Sequence, residues 1–145
     1  MKKITPFLWF DNQAEEAMNY YVSIFKNSKV LGVSPSSVNF ELEGQEFIGF
    51  NAGPEFKFNE AISMFVSCQT QEEVDELWGR LTSDGGEEGQ CGWAKDKYGL
   101  WWQIIPAALG ELMGDPDPVK SKRVMDAMLQ MKKIVIADLK KAHDG

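Results

Sequence analysis

The chain repeats itself. When the segment from Ile62 to Leu81 is laid over the segment that begins 57 positions earlier, Glu15-Glu16 falls on Glu72-Glu73, Ala17 on Val74, Tyr20-Tyr21 on Leu77-Trp78 and Ile24 on Leu81. The order of elements repeats too. Lys3 to Phe10 is a short apolar run ended by Asp11-Asn12, and Ala14, Ala17, Met18, Tyr21 and Ile24-Phe25 then recur at helical spacing. Lys29 to Val33, Val38 to Leu42 and Glu46 to Asn51 read as strands, the last two joined at Gly44-Gln45. Gly53-Pro54 breaks the pattern. Ile62 to Cys68 then reads as a strand, Thr70-Gln71-Glu72-Glu73 opens a helix, and strands follow around Gln90 to Ala94 and from Leu100 to Ile105. Each half therefore reads as β-α-β-β-β. One such half leaves a sheet edge and a face uncovered, so two halves are expected to pair around a common cavity.

These elements carry their own local expectations. Asp11 or Asn12 is placed to cap the first helix, with Glu15 and Glu16 in the first turn where the helix dipole favours acids. After Pro106 the chain changes character: Ala108 to Met113 is a short helical turn, Val119 to Met131 a helix and Ile134 to Ala142 a last one. Met125, Met128, Leu129 and Met131 give this segment a soft apolar stripe that suits packing against the sheet or a second subunit. The 145 residues are expected to form one domain, with repeat halves of about 1–55 and 56–110 and C-terminal helices over 111–145.

The densest chemistry lies between Glu87 and Pro106, where three of the five tryptophans fall within ten positions. Asp96-Lys97-Tyr98-Gly99 makes a turn, and Leu100 to Ile105 reads as a strand covered on both faces and stopped by Pro106, which has no amide to donate. Alternation puts Trp101, Gln103 and Ile105 on one face and Leu100, Trp102 and Ile104 on the other. One polar amide thus stands in an aromatic wall, a common way to build a small-molecule pocket.

Charge and composition exclude several classes of function. With 22 acidic and 15 basic residues the net charge is −7, which repels a polyanion. The basic residues Lys120, Lys122, Arg123, Lys132, Lys133, Lys140 and Lys141 lie among acids and read as a solvated helix face. No nucleic-acid partner is expected. No apolar run reaches the roughly 20 residues of a membrane span, and no signal-type segment follows Met1-Lys2-Lys3, so a soluble, cytoplasmic protein is expected. Cys68 and Cys91 then read as reduced thiols.

With these residues in place, the chain resembles the PhnB-like branch of the vicinal oxygen chelate superfamily, which includes glyoxalases, bleomycin-resistance proteins and extradiol dioxygenases. Members of this branch are often labelled 3-demethylubiquinone-9 3-methyltransferase. The resemblance runs through Ile4 to Phe10, Ala14 to Tyr21, Phe56 to Ser63, Glu87 to Pro106 and Arg123 to Met128, and departs from it in a short connection between Val30 and Ser37. It implies an α+β fold in which paired βαβββ modules form a curled mixed sheet around a cavity, with C-terminal helices, usually in a homodimer. Metal enzymes of the superfamily hold a divalent ion with His, Gln and Glu side chains. By position those ligands fall at Pro6, near Gly49, near Ala61 and at Gln103, and only Gln103 could coordinate. The expectation is no metal and no cofactor.

Other chemistry is thinly supplied. Cys91 has no histidine near it in sequence and reads as an unreactive thiol; His143, the sole histidine, reads as solvated near the chain end. The acidic pairs Glu72-Glu73 and Glu87-Glu88 project in different directions, and Asp96 and Lys97 read as solvated, with Asp96 able to hold its turn. Gly85-Gly86 precedes no helix, so the Gly-rich cradle of common S-adenosylmethionine enzymes is not found. What remains is metal-independent binding of a small molecule by stacking and hydrogen bonding, with wall candidates Asn51, Ser63, Phe65, Trp93, Trp101 and Gln103 and Cys91 at the edge. Core packing is the plainer reading of each aromatic, and a lyase, isomerase, dioxygenase or methyl-transfer enzyme on the same fold is the alternative.

Overall fold

The computed structural model describes residues 2–145, which divide into two compact units at Phe58/Asn59. The first contains β1 (Phe7–Phe10), α1 (Ala14–Ile24), β2 (Ser28–Val33), β3 (Ser37–Leu42) and β4 (Gln45–Asn51). Its sheet runs β1-β4-β3-β2, with β1 parallel to β4 and the other pairs antiparallel. The second unit contains β5 (Met64–Cys68), α2 (Gln71–Thr82), β6 (Glu87–Glu88), β7 (Trp93–Lys95) and β8 (Trp101–Pro106), then α3 (Ala107–Met113), α4 (Pro118–Met128) and α5 (Ile136–Asp144). Its sheet runs β5-β8-β7-β6, with β5 parallel to β8. The α+β fold of two βαβββ modules is thus observed, and both modules arrange their strands in the same order. Phe7 opens β1 and Met64 opens β5, while Ala14 opens α1 and Gln71 opens α2, a separation of 57 each time.

In the first unit α1 buries Ala14, Ala17, Met18, Tyr21 and Ile24. Leu8, Phe10, Val38, Phe40, Leu42 and Phe47 are buried in the same unit at alternate strand positions, so one face of the sheet is the core face. Gly49 lies on that face too: a Cβ there would stand 2.9 Å from Val38 and 3.6 Å from the Ala14 methyl, so only glycine lets helix and strand approach this closely. β3 and β4 turn through Glu43 and Gly44, both at positive φ, the backbone of a tight two-residue hairpin loop. The short connection between β2 and β3 is closed locally, Ser34 N–H donating to the Ser37 carbonyl at 2.8 Å.

Three local expectations change. β1 starts at Phe7, not Lys3, because Pro6 has no N–H to donate, although its carbonyl still accepts from Ile48 N at 3.0 Å. The α1 amide at Ala14 is capped by Asn51 Oδ1 at 2.9 Å, from the end of β4, and not by Asp11 or Asn12. β8 ends at Pro106 and not one residue before it: Pro106 keeps register with Cys68 on β5 and also serves as the N-cap position of α3.

In the second unit Val74, Leu77, Trp78 and Leu81 are the buried face of α2, and Cys68, Ala94, Leu100, Trp102 and Ile104 are the buried sheet residues. α2 opens as the sequence predicts. Thr70 Oγ1 accepts from Glu73 N at 3.1 Å, while Glu73 Oε1 reaches back one residue beyond the cap to accept from Gln69 N at 2.8 Å. The C-terminal helices build a separate cluster from Leu109, Val124, Ile134 and Leu139, with Met113, Met128, Met131 and Ile105 packed against it. Met125 and Leu129 of the expected stripe remain 42% and 50% exposed, outside that core. Gln71 ties this segment to α2, donating to the Ile134 carbonyl at 3.0 Å and accepting from Ile136 N at 2.7 Å.

Candidate functional site

The strand expected to be covered on both faces is covered on one along Trp101 to Ile104, while Ile105 at its end packs against the C-terminal cluster. Along β8, Trp102 and Ile104 are buried, whereas Trp101 and Gln103 are partly exposed. The reason is that α2 supplies a single apolar stripe, which can cover one side of the sheet only. The register lays out the open side. Gln103 lies between Phe65 on β5 and Trp93 on β7, Trp101 lies opposite Lys95 on β7, and Ser63 immediately precedes β5. Gln103 Nε2 donates to Ser63 Oγ at 2.9 Å. The Trp93 and Trp101 rings meet edge to face with centroids 6.2 Å apart, and Lys95 Nζ stands 6.0 Å from the Trp101 ring centre. Phe65 is 63% exposed, so of the rings on this face it is the one most open to contact.

The structure therefore brings together Ser63, Phe65, Trp93, Trp101 and Gln103 on one sheet face. The other two candidates are not part of that sheet face. Asn51 belongs to the first unit, where its side-chain oxygen caps α1. Cys91 sits in the turn before β7 at φ +58°, its N–H donating to the Met131 carbonyl at 2.7 Å, so the C-terminal segment holds its backbone.

Beneath the open face lies a residue that the sequence places in solvent. Asp96 is 1% exposed. Its Oδ1 accepts from Tyr98 N at 2.9 Å and Leu100 N at 3.0 Å, and its Oδ2 accepts from the Trp102 indole N–H at 2.9 Å. The carboxylate does hold its turn, as expected, but it also fixes the indole of the residue between Trp101 and Gln103. The signal was available: an acid six residues before a tryptophan, across a turn ending in Gly99, can reach an indole N–H.

The titratable groups make a sparse set. Burial pushes the Cys68 thiol up to about 12, and the charge of Glu73 and a hydrogen bond with it push the same way. His143 is not a frayed end. Its Nε2 lies 2.8 Å from Asp115 Oδ2, and Arg123 donates to the carbonyls of Ala142 and His143, holding the end of α5. The hydrogen bond with Asp115 raises the imidazole pKa above its usual 6.5. Among the described residues no three His, Cys, Asp or Glu side chains gather as a metal-binding group. Gly49 faces α1, and the outward positions beside it on β4 are Ile48 and Phe50; the Ala61 side chain offers no lone pair, and with Gln103 Nε2 bonded to Ser63 the Gln103 amide oxygen is the one neutral oxygen left. This donor set does not fit a divalent ion held in the superfamily manner.

Comparison with known proteins agrees with the architecture. The PhnB protein of Bacillus cereus is 34% identical with a TM-score of 0.68, over 73% of this chain and 100% of that one. A glyoxalase/bleomycin resistance protein from Albidiferax ferrireducens is 14% identical with a TM-score of 0.50, over 70% and 95% of the two chains. The fosfomycin resistance protein FosX of Listeria monocytogenes, solved with Mn(II) and sulfate, is 18% identical with a TM-score of 0.50, over 70% and 88%. The last two share the fold alone. No curated protein matches the chain. The profile of the 3-demethylubiquinone-9 3-methyltransferase family matches residues 2–105, ending before α3. On this match, and on the Bacillus cereus structure, the chain belongs to that PhnB-like 3-demethylubiquinone-9 3-methyltransferase family.

Proposed function

We propose that the protein binds a small organic molecule on the open face of its second sheet, through ring stacking and hydrogen bonds and without a bound metal. The observation that carries this reading is the set of Trp93, Trp101 and Phe65 around the Gln103–Ser63 hydrogen bond, all on the side of the sheet that α2 leaves uncovered. The donor set argues against a metal, since a single neutral amide gives a divalent ion too little. The family label names a methyl transfer, but the chain has no Gly-rich strand-to-helix cradle for the usual methyl donor. The enzyme alternative draws on FosX, a fold relative solved with Mn(II). Stoichiometric retention of Zn, Ni, Mn or Fe after dialysis, read by elemental analysis, overturns the metal-free reading.

Binding is tested by calorimetric titration with a broad panel of flat aromatic compounds. Trp101→Ala and Trp93→Ala are each expected to weaken a hit roughly tenfold or more, since one aromatic contact contributes about 1–3 kcal/mol. Failure of every compound to bind overturns the reading. We also propose a homodimer in the cytoplasm. The support is the exposure of Phe7, Leu31, Val33 and Ile62, large apolar side chains that a second copy would cover, together with two free thiols suited to a reducing compartment. Sedimentation equilibrium showing a monomer at micromolar concentration counts against the dimer.

A further inference from the structure

Resting on that reading of the open face, we infer that the ligand is a flat heterocycle whose edge carries an N–H beside a C=O, the pattern of a lactam or cyclic imide. The register sets Trp101 beside Lys95 and, in the next row, Phe65, Gln103 and Trp93, with Ser63, just before β5, hydrogen-bonded to Gln103. Aromatic and polar side chains therefore alternate both across the strands and along β8. A ring stacked on either indole brings its edge against the central pair, Gln103 and Ser63.

That pair has a fixed hydrogen-bonding signature. With Gln103 Nε2 donating to Ser63 Oγ at 2.9 Å, Gln103 Oε1 is left as an acceptor and the Ser63 hydroxyl hydrogen as a donor. Exchanging the amide nitrogen and oxygen reverses the roles and gives the same result: Ser63 then donates, leaving an amide N–H and a serine lone pair. Either way a donor stands beside an acceptor, with a second amide N–H of Gln103 also unspent. Neither side chain has another hydrogen-bond partner among the described residues.

A cis-amide edge satisfies both positions at once, whereas a carboxylate offers acceptors only and an ammonium donors only. A polyhydroxylated sugar matches the polar pair but has no aromatic ring to stack on Trp93 and Trp101.

The test uses three probes of one size: quinolin-2(1H)-one, its N-methyl derivative and naphthalene, titrated against tryptophan fluorescence. The lactam is expected to bind about tenfold more tightly than either of the others, the scale of one or two hydrogen bonds. Gln103→Ala and Ser63→Ala should each shrink the ratio of lactam to naphthalene affinity, with thermal unfolding used to show that both variants fold. Equal affinity for all three probes, lost together in Trp101→Ala, overturns the cis-amide inference and leaves the small-molecule reading standing. No saturable signal from the lactam also overturns the inference, and the small-molecule reading is then decided by the broad panel alone.

Discussion

Asp96 is the residue on which the second unit's sheet most depends. A carboxylate 1% exposed is stable only because backbone amides and the Trp102 indole donate to it, so deleting the acceptor strands buried donors. Asp96→Ala is expected to cost about 3 kcal/mol in urea unfolding, and Asp96→Asn less, because its remaining oxygen can still accept from the turn. An Asp96→Ala loss below about 1 kcal/mol contradicts this account. The two cysteines give a second test at the same scale. Cys68 is buried with its thiol pushed up to about 12, while Cys91 is partly exposed. At pH 8 a disulfide reagent should titrate one thiol quickly in the native protein and both in denaturant. Fast reaction of both native thiols rules out the burial of Cys68.

At the scale of elements, the two helices start by different devices. α2 is capped from its own sequence by Thr70, and Thr70→Ala should cost about 1 kcal/mol in equilibrium unfolding. α1 is capped from β4 by Asn51, and Asn51→Ala should cost a similar amount, about 1 kcal/mol, although it lies 37 residues from the amide it meets. Capping by Asp11 or Asn12 instead predicts no loss for Asn51→Ala. The repeat was legible because its helix faces follow a 3.6-residue period and its strands a period of two. The cap on α1 was not, since a side chain donated across a fold leaves no local pattern.

For the molecule as a whole, pH acts through the contact that ties α5 to the loop before α4. Asp115 is held below its usual 3.8, first by the Asp117 amide and then by His143, while His143 is held above its usual 6.5 by Asp115 and Asp144. The raised histidine contributes stability that is complete below 6.5 and fades as pH rises through its folded value. The lowered aspartate contributes stability that is complete above 3.8 and fades as pH falls through its folded value. The pair therefore helps most between 3.8 and 6.5. Melting temperatures of the protein and of His143→Gln, measured from pH 3 to pH 9, should differ most in that window and converge toward both ends. A constant difference across the range assigns the contact to packing and not to charge.

Apart from β6 and β7, read as one strand around Gln90 to Ala94 but formed at Glu87–Glu88 and Trp93–Lys95, the order of strands and helices, their duplication and the aromatic run around Gln103 follow from the chain alone, because periodicity and turn chemistry are local properties that a one-dimensional pattern records. Which faces those patterns turn to water was decided by packing. α2 has a single apolar stripe, so the same alternation that put Trp101 and Gln103 together left them open while burying Trp102 and Ile104. Asp96 and His143 read as solvated for the same reason: burial is set by what folds over a side chain, and their partners Trp102, Asp115 and the α5 end meet them only in three dimensions.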